Sequence, residues 1–131
     1  MLPERIGNDD CGLARRWILN LGLASMLVRL NGMAEERFAS TGIRWPGLSI
    51  ISGYRSRADQ ARINPDAPDS LHTRCPSMAV DLRVGAVRGV EAPEVWQVLG
   101  SMWELLGGRW GGRFRDQDLN HFDLGVGTPR V

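Results

Sequence analysis

Lysine is absent from this chain. All sixteen basic residues are arginine, and fifteen acids leave a formal charge of +1. Nothing in that balance suggests a nucleic-acid groove or an acidic-membrane patch, because phosphate binding needs a clustered positive surface. The arginine bias has a bland source in genome composition, and no function is read into it. Histidine is also scarce, with His72 and His121 alone. Two cysteines, Cys11 and Cys75, cannot build a disulfide framework. One bridge and a pair of free thiols both stay open. Long apolar runs are missing as well. The stretch from Trp17 to Leu30 is broken by Asn20, Gly22, Ser25 and Arg29, too short and too interrupted to span a membrane. Met1-Leu2-Pro3-Glu4-Arg5, with acids at Asp9 and Asp10, lacks the basic start and apolar stretch of a signal peptide. The expectation is a chain made in the cytoplasm.

What is present fits one soluble globular domain over residues 1–131, with 43% hydrophobic and 24% charged residues. Asp9 or Asp10 can cap a helix starting near Leu13. Leu23, Met26, Leu27, Leu30, Met33, Ala34 and Phe38 recur at helical spacing and make one apolar stripe. Gly22 is a possible break in that run; Gly42 and Pro46 end it. Leu48 to Gly53 reads as a short buried strand. Ser56-Arg57-Ala58-Asp59 has capping-box spacing and predicts a short helix to about Ile63, stopped by Pro65. Residues 64–77, rich in Pro, Asp and Ser, read as a loop, and Ala79 to Val84 as a strand. Pro93 suits the first turn of a helix carrying Val95, Val98, Leu99, Met102 and Leu106, closed by Gly107-Gly108. Trp110 to Phe114 and His121 to Leu124 are the last strand candidates. Helices first and short strands later, without regular alternation, predict an α+β domain around a small, mainly antiparallel sheet packed against N-terminal helices.

Both histidines have acids close by. Asp81 follows His72 across a loop, while Asp116 and Asp118 precede His121 and Asp123 follows it. Two imidazoles and one carboxylate are a standard set for a catalytic zinc, with the fourth position left to water whose pKa falls to roughly 7. A base that does not bind the metal is also needed. Asp118 precedes His121 by three residues, and a turn there can point both at one water; Asp116 is the reserve. Arg55 follows the first strand, and its guanidinium is a permanent charge with a rigid fork of donors. Placed over a scissile carbonyl, it could contribute roughly 3–4 kcal/mol, as single oxyanion-hole donors do elsewhere.

These residues also occur in a known order. Ser52-Gly53-Tyr54-Arg55-Ser56, Ser70-Leu71-His72, Ala79-Val80-Asp81-Leu82, Trp110-Gly111-Gly112 and Asp118-Leu119-Asn120-His121-Phe122 follow one another as in the D-Ala-D-Ala carboxypeptidase family of zinc peptidases. That family, of hedgehog/DD-peptidase fold, includes vancomycin-resistance dipeptidases and the L-alanyl-D-glutamate peptidases used as phage endolysins. The resemblance runs from about Leu48 to Leu124. It implies His72, Asp81 and His121 as Zn2+ ligands, Asp118 as the acid that activates water, Arg55 as the group polarising the carbonyl, and Ser70 as a contact to substrate. It implies the stem peptide of bacterial peptidoglycan as partner and an enzyme of endolysin type that reaches the wall without its own export signal; charge and hydropathy add the expectation of no nucleic acid and no membrane insertion, and a monomer is expected. A D-Ala-D-Ala carboxypeptidase or dipeptidase, and a zinc-stabilised binding module without catalysis, are the alternatives.

One departure stands out. The family runs His-x-x-Gly-x-Ala-x-Asp, whereas His72 and Asp81 are two residues further apart, with Ser77 where the glycine would fall. The extra residues lie within Thr73-Arg74-Cys75-Pro76, and a loop can absorb them without moving the strand. Cys75 lies in this insertion and reads as a bystander. Trp17, Trp45, Trp96 and Trp103 read as core or rim, and Trp110 as packing near the site. Asp123 either orients His121 from behind or faces solvent.

Overall fold

A computed structural model of the protein describes residues 18–42, 44–85 and 93–125. The fold is α+β, with three helices and a four-stranded antiparallel sheet. Helix α1 spans Leu21–Ala39 and β1 Leu48–Ser52; α2 spans Arg57–Ile63 and β2 Ala79–Val84. Helix α3 spans Pro93–Leu105, followed by β3 at Arg109–Trp110 and β4 at His121–Asp123. The strands lie in the order β1-β2-β4-β3.

The predicted start of the first helix near Leu13, with its caps Asp9 and Asp10, lies outside the described residues. Within them, Asn20 caps α1, its side chain accepting from the Leu23 amide at 3.2 Å. Gly22 therefore sits inside the first turn and does not divide the helix. Gly42 follows the helix with φ of 78°, a left-handed conformation that glycine adopts at no steric cost. Ser56 caps α2 by accepting from the Asp59 amide at 3.1 Å, as the capping-box spacing predicts.

One face of the sheet is the core. Leu23, Leu30 and Ala34 of α1 and Trp96, Leu99 and Trp103 of α3 bury against Val80, Leu82, Trp110 and Phe122. Side chains alternate across a strand. Asp81, flanked by Val80 and Leu82, thus points away from the helices, as do His121 and Asp123 on either side of Phe122. Asp81 stands opposite His121 in the β2–β4 ladder, and Asp123 stands opposite Arg109 in the β3–β4 ladder. Strand alternation therefore collects the polar side chains on one face by the same pattern that buries the apolar ones on the other.

Two irregularities shape that face. The β1–β2 register slips between Ile50 and Ser52, so Ser52 rather than Ile51 stands opposite Asp81. A bulge of this kind re-aims one side chain. The predicted strand from Trp110 to Phe114 ends at Trp110, because Gly111–Arg113 coil into a 3-10 turn. The indole N–H groups hold the frame: Trp103 donates to the Asp123 carbonyl at 2.9 Å and Trp110 to the Leu119 carbonyl at 2.8 Å. No helix among the described residues is long and apolar enough to cross a membrane.

Candidate metal centre

His72 lies in a 3-10 turn, Leu71–Thr73, within the segment expected to be loop. Ser70 caps that turn, its hydroxyl accepting from the His72 amide at 3.2 Å. His72 Nδ1 lies 2.6 Å from the Gly53 carbonyl. A carbonyl can only accept, so Nδ1 carries the proton and Nε2 offers its lone pair. The turn is locked from both sides, since the Arg55 amide donates back to the His72 carbonyl at 2.8 Å.

Asp81 Oδ1 lies 3.4 Å from His72 Nε2 and 3.3 Å from His121 Nδ1. The three groups offer ligand atoms all within 4.8 Å of one another and could hold a metal ion. Donor atoms about 2.1 Å from a tetrahedral zinc stand roughly 3.4 Å apart, and both measured separations match. A second observation points the same way. His72 Nε2 and Asp81 Oδ1 are buried with no hydrogen-bond partner. Leaving one such atom unpaired costs about 1–3 kcal/mol. A cation seated between them would satisfy both atoms. The insertion between His72 and Asp81 leaves the ligands together. It returns through Ser77, fully buried, whose backbone pairs with Ile18 and Asn20 ahead of α1. Cys75 is disulfide-bonded and so offers no thiolate; Cys11, the chain's other cysteine, lies outside the described residues.

His121 is oriented from behind. Its Nε2 donates to Asp123 Oδ2 at 2.7 Å, which turns Nδ1 toward Asp81. Of the two readings open for Asp123, the structure gives the orienting one: the carboxylate is fully buried. Burial pushes the Asp123 carboxyl up, but His121 and Arg109 outweigh it and hold it below the usual carboxylate range. For His121, burial disfavours the charged ring, yet Asp123 and Asp81 outweigh it and lift its pKa to about 9. Asp81 is likewise pushed up by burial and held well below the usual range, chiefly by the His121 imidazole beside it.

Asp118 is half-exposed, its Oδ2 4.0 Å from His121 Nδ1. It sits beside the ligand cluster without joining it. Burial, and then the Asp81 charge, raise its pKa. Asp116, the reserve candidate, is exposed and has no described contact with the cluster. Asp118 is placed by a turn, its amide donating to the Gly111 carbonyl at 2.9 Å and its carbonyl accepting from the His121 amide at 3.1 Å. That turn demands glycine at position 111 for space. A Cβ there would meet the Asp118 carbonyl oxygen at 2.3 Å and His121 Cβ at 2.9 Å. We expect Gly111→Ala to cost about 1–3 kcal/mol of stability, as overpacking does. It should also move Asp118 and His121 apart. Denaturant unfolding of the metal-free protein checks the first effect, and zinc affinity the second.

Arg55 has a different setting from the one expected over a carbonyl. Its Nη2 donates to Asp81 Oδ2 at 3.2 Å and to the Ser52 hydroxyl at 3.1 Å, and its Nη1 donates to Gln60 Oε1 at 2.7 Å. The guanidinium thus holds the outer oxygen of Asp81 and leaves Oδ1 facing the imidazoles. Ser52, brought into line by the bulge, completes the clamp. Gln60 is buried and also donates to the Ala67 carbonyl at 2.9 Å, tying α2 to the loop that leads to His72. Sequence reasoning missed Gln60, Arg109 and Phe114, and a polar residue within a short helix carries no spacing signal to find it by.

No family model matches the chain, and no curated protein matches it.

Proposed function

We propose that the protein is a zinc-dependent peptidase that hydrolyses peptidoglycan stem peptides, acting as an L-alanyl-D-glutamate endopeptidase. The observation that carries the reading is the convergence of His72 Nε2, Asp81 Oδ1 and His121 Nδ1, two of these atoms buried without partners, beside a free carboxylate at Asp118. The order of the motifs that bear these residues, similar to that of the D-Ala-D-Ala carboxypeptidase family, supports the substrate class.

Bound zinc would supply Lewis acidity, polarising a carbonyl and acidifying water at neutral pH. The chain's own residues do the rest. Gly53 and Asp123 fix the tautomers of His72 and His121, so that each presents a lone pair inward. Arg55 and Ser52 hold Asp81 in place. Asp118 takes the proton of the attacking water as its oxygen bonds to the peptide carbonyl carbon. It then delivers that proton to the leaving amine as the C–N bond breaks. The motif order gives Ser70 a contact to substrate, and its hydroxyl here caps the turn that carries His72. Arg55, already committed to Asp81, contributes positive charge near the carbonyl from there.

The test is direct. Zinc-loaded protein is incubated with purified bacterial walls, and new termini are identified by mass spectrometry. A free D-Glu amine is the expected product. Released D-Ala would instead show a carboxypeptidase. No product from protein with zinc bound would leave a zinc-stabilised binding module and overturn the enzymatic reading.

A further inference from the structure

We propose that Arg109 is a positioning residue of the metal centre: through Asp123 and Phe114 it fixes the ring of His121, and so sets the affinity for zinc. This rests on the reading of His72, Asp81 and His121 as metal ligands.

Arg109 lies on β3, the outermost strand on its side of the sheet, directly opposite Asp123. Its Nε donates to Asp123 Oδ1 at 2.9 Å and its Nη2 to Oδ2 at 2.7 Å, a two-pronged grip on one carboxylate. Asp123 also accepts from the Gly125 amide at 2.7 Å and from His121 Nε2 at 2.7 Å. A fully buried carboxylate held at one edge only, by His121, is free to swing toward water, and that movement releases His121. The two-pronged grip of Arg109 prevents it.

The same guanidinium makes a second contact. Its Cζ sits 4.9 Å from the centre of the Phe114 ring, and that ring lies 5.4 Å from the imidazole of His121. His121 is therefore held at its edge by Asp123 and flanked by Phe114. Arg109 touches both of those supports. An ordinary surface ion pair explains the first contact but not the second. Arg113 makes the useful comparison. It also pairs with an acid, Glu104, and lies over an aromatic ring, Trp110, yet none of its described contacts reaches His121.

The experiment measures zinc dissociation constants by competition with a chromogenic chelator, and uses no peptidase assay. Loss of an outer partner of a metal-bound histidine typically weakens binding 10–100-fold. Asp123→Asn should fall in that range, and Arg109→Met should weaken zinc by about tenfold. Arg109→Lys, which keeps the charge but loses the fork, should lie between Arg109→Met and the parent. The double variant should bind no worse than Asp123→Asn alone, since both changes break one chain of contacts. Arg113→Met should bind as the parent does. If Arg109→Met fails to fold, Arg109→Lys gives the same readout. Parent-like affinity in the folded Arg109 variants would overturn the inference and leave the metal centre standing. A parent protein that takes up no zinc would overturn the metal centre itself.

Discussion

Asp118→Asn should leave zinc bound and cut the rate of wall cleavage by about 10²–10⁴-fold, the usual share of a positioned general base. Asparagine matches aspartate in shape but accepts no proton. The side chain is half-exposed and joins no buried network, so the fold should tolerate the change. The metal ligands lose no hydrogen bond, only the 4.0 Å charge contact between Asp118 and His121. Zinc content per chain and the rate of appearance of new amino termini are the two measurements needed. A near-normal rate with zinc retained would remove Asp118 from the mechanism, and Asp116→Asn would then be the variant to make.

Zinc affinity should change about tenfold per pH unit through the neutral range, tightening as pH rises until it levels off near pH 9. His121 in the metal-free protein holds its proton up to a pKa of about 9, because Asp123 and Asp81 flank it. A metal must displace that proton to reach Nδ1, so binding releases protons and weakens as pH falls. Between pH 6.5 and 8.5 the change is on the order of 100-fold. Titration calorimetry in buffers of different ionisation enthalpy would count the protons released at pH 7. A count near zero would mean that His121 is neutral before the metal arrives.

The metal-free fold should respond in the opposite sense. A histidine whose folded pKa is raised stabilises the fold fully below its ordinary value of 6.5, and that stability is lost as pH rises through about 9. Asp81 and Asp123 are held below the ordinary 3.8, so their contribution is present above that value and is lost as pH falls. Metal-free protein should therefore be most stable between about pH 4 and 6.5 and weaken on the alkaline side. Zinc should reverse the alkaline loss, since ligand that binds only the folded state adds stability with concentration, roughly 4 kcal/mol at a thousandfold excess over its dissociation constant. Thermal melts across pH, with and without zinc, distinguish the two curves.

Much of this arrangement was legible in the residue order. The apolar stripe from Leu23 to Phe38 predicts α1, and the Ser56 cap predicts α2, because helical periodicity and capping are local. Alternation in Ala79 to Val84 predicts β2, and the structure puts Asp81 on the face away from the core. His72, Asp81 and His121 stood out through scarcity and family-like motif order, and the structure brings them together. The boundary at Gly111 was not legible. A run of Trp, Gly and Arg looks like a strand until the neighbouring Asp118 carbonyl, fixed by a later turn, excludes any Cβ.

The chain's own pattern determined which side chains could do metal chemistry and which segments would be helix or strand. Periodicity and residue type carry that information over a few neighbours, where backbone geometry is nearly fixed. The tertiary structure alone decided how those groups support one another. A bulge sets Ser52 against Asp81, the β3–β4 register sets Arg109 against Asp123, and Arg55 turns to Asp81. Such pairings join residues distant in the chain through packing, so no local spacing encodes them.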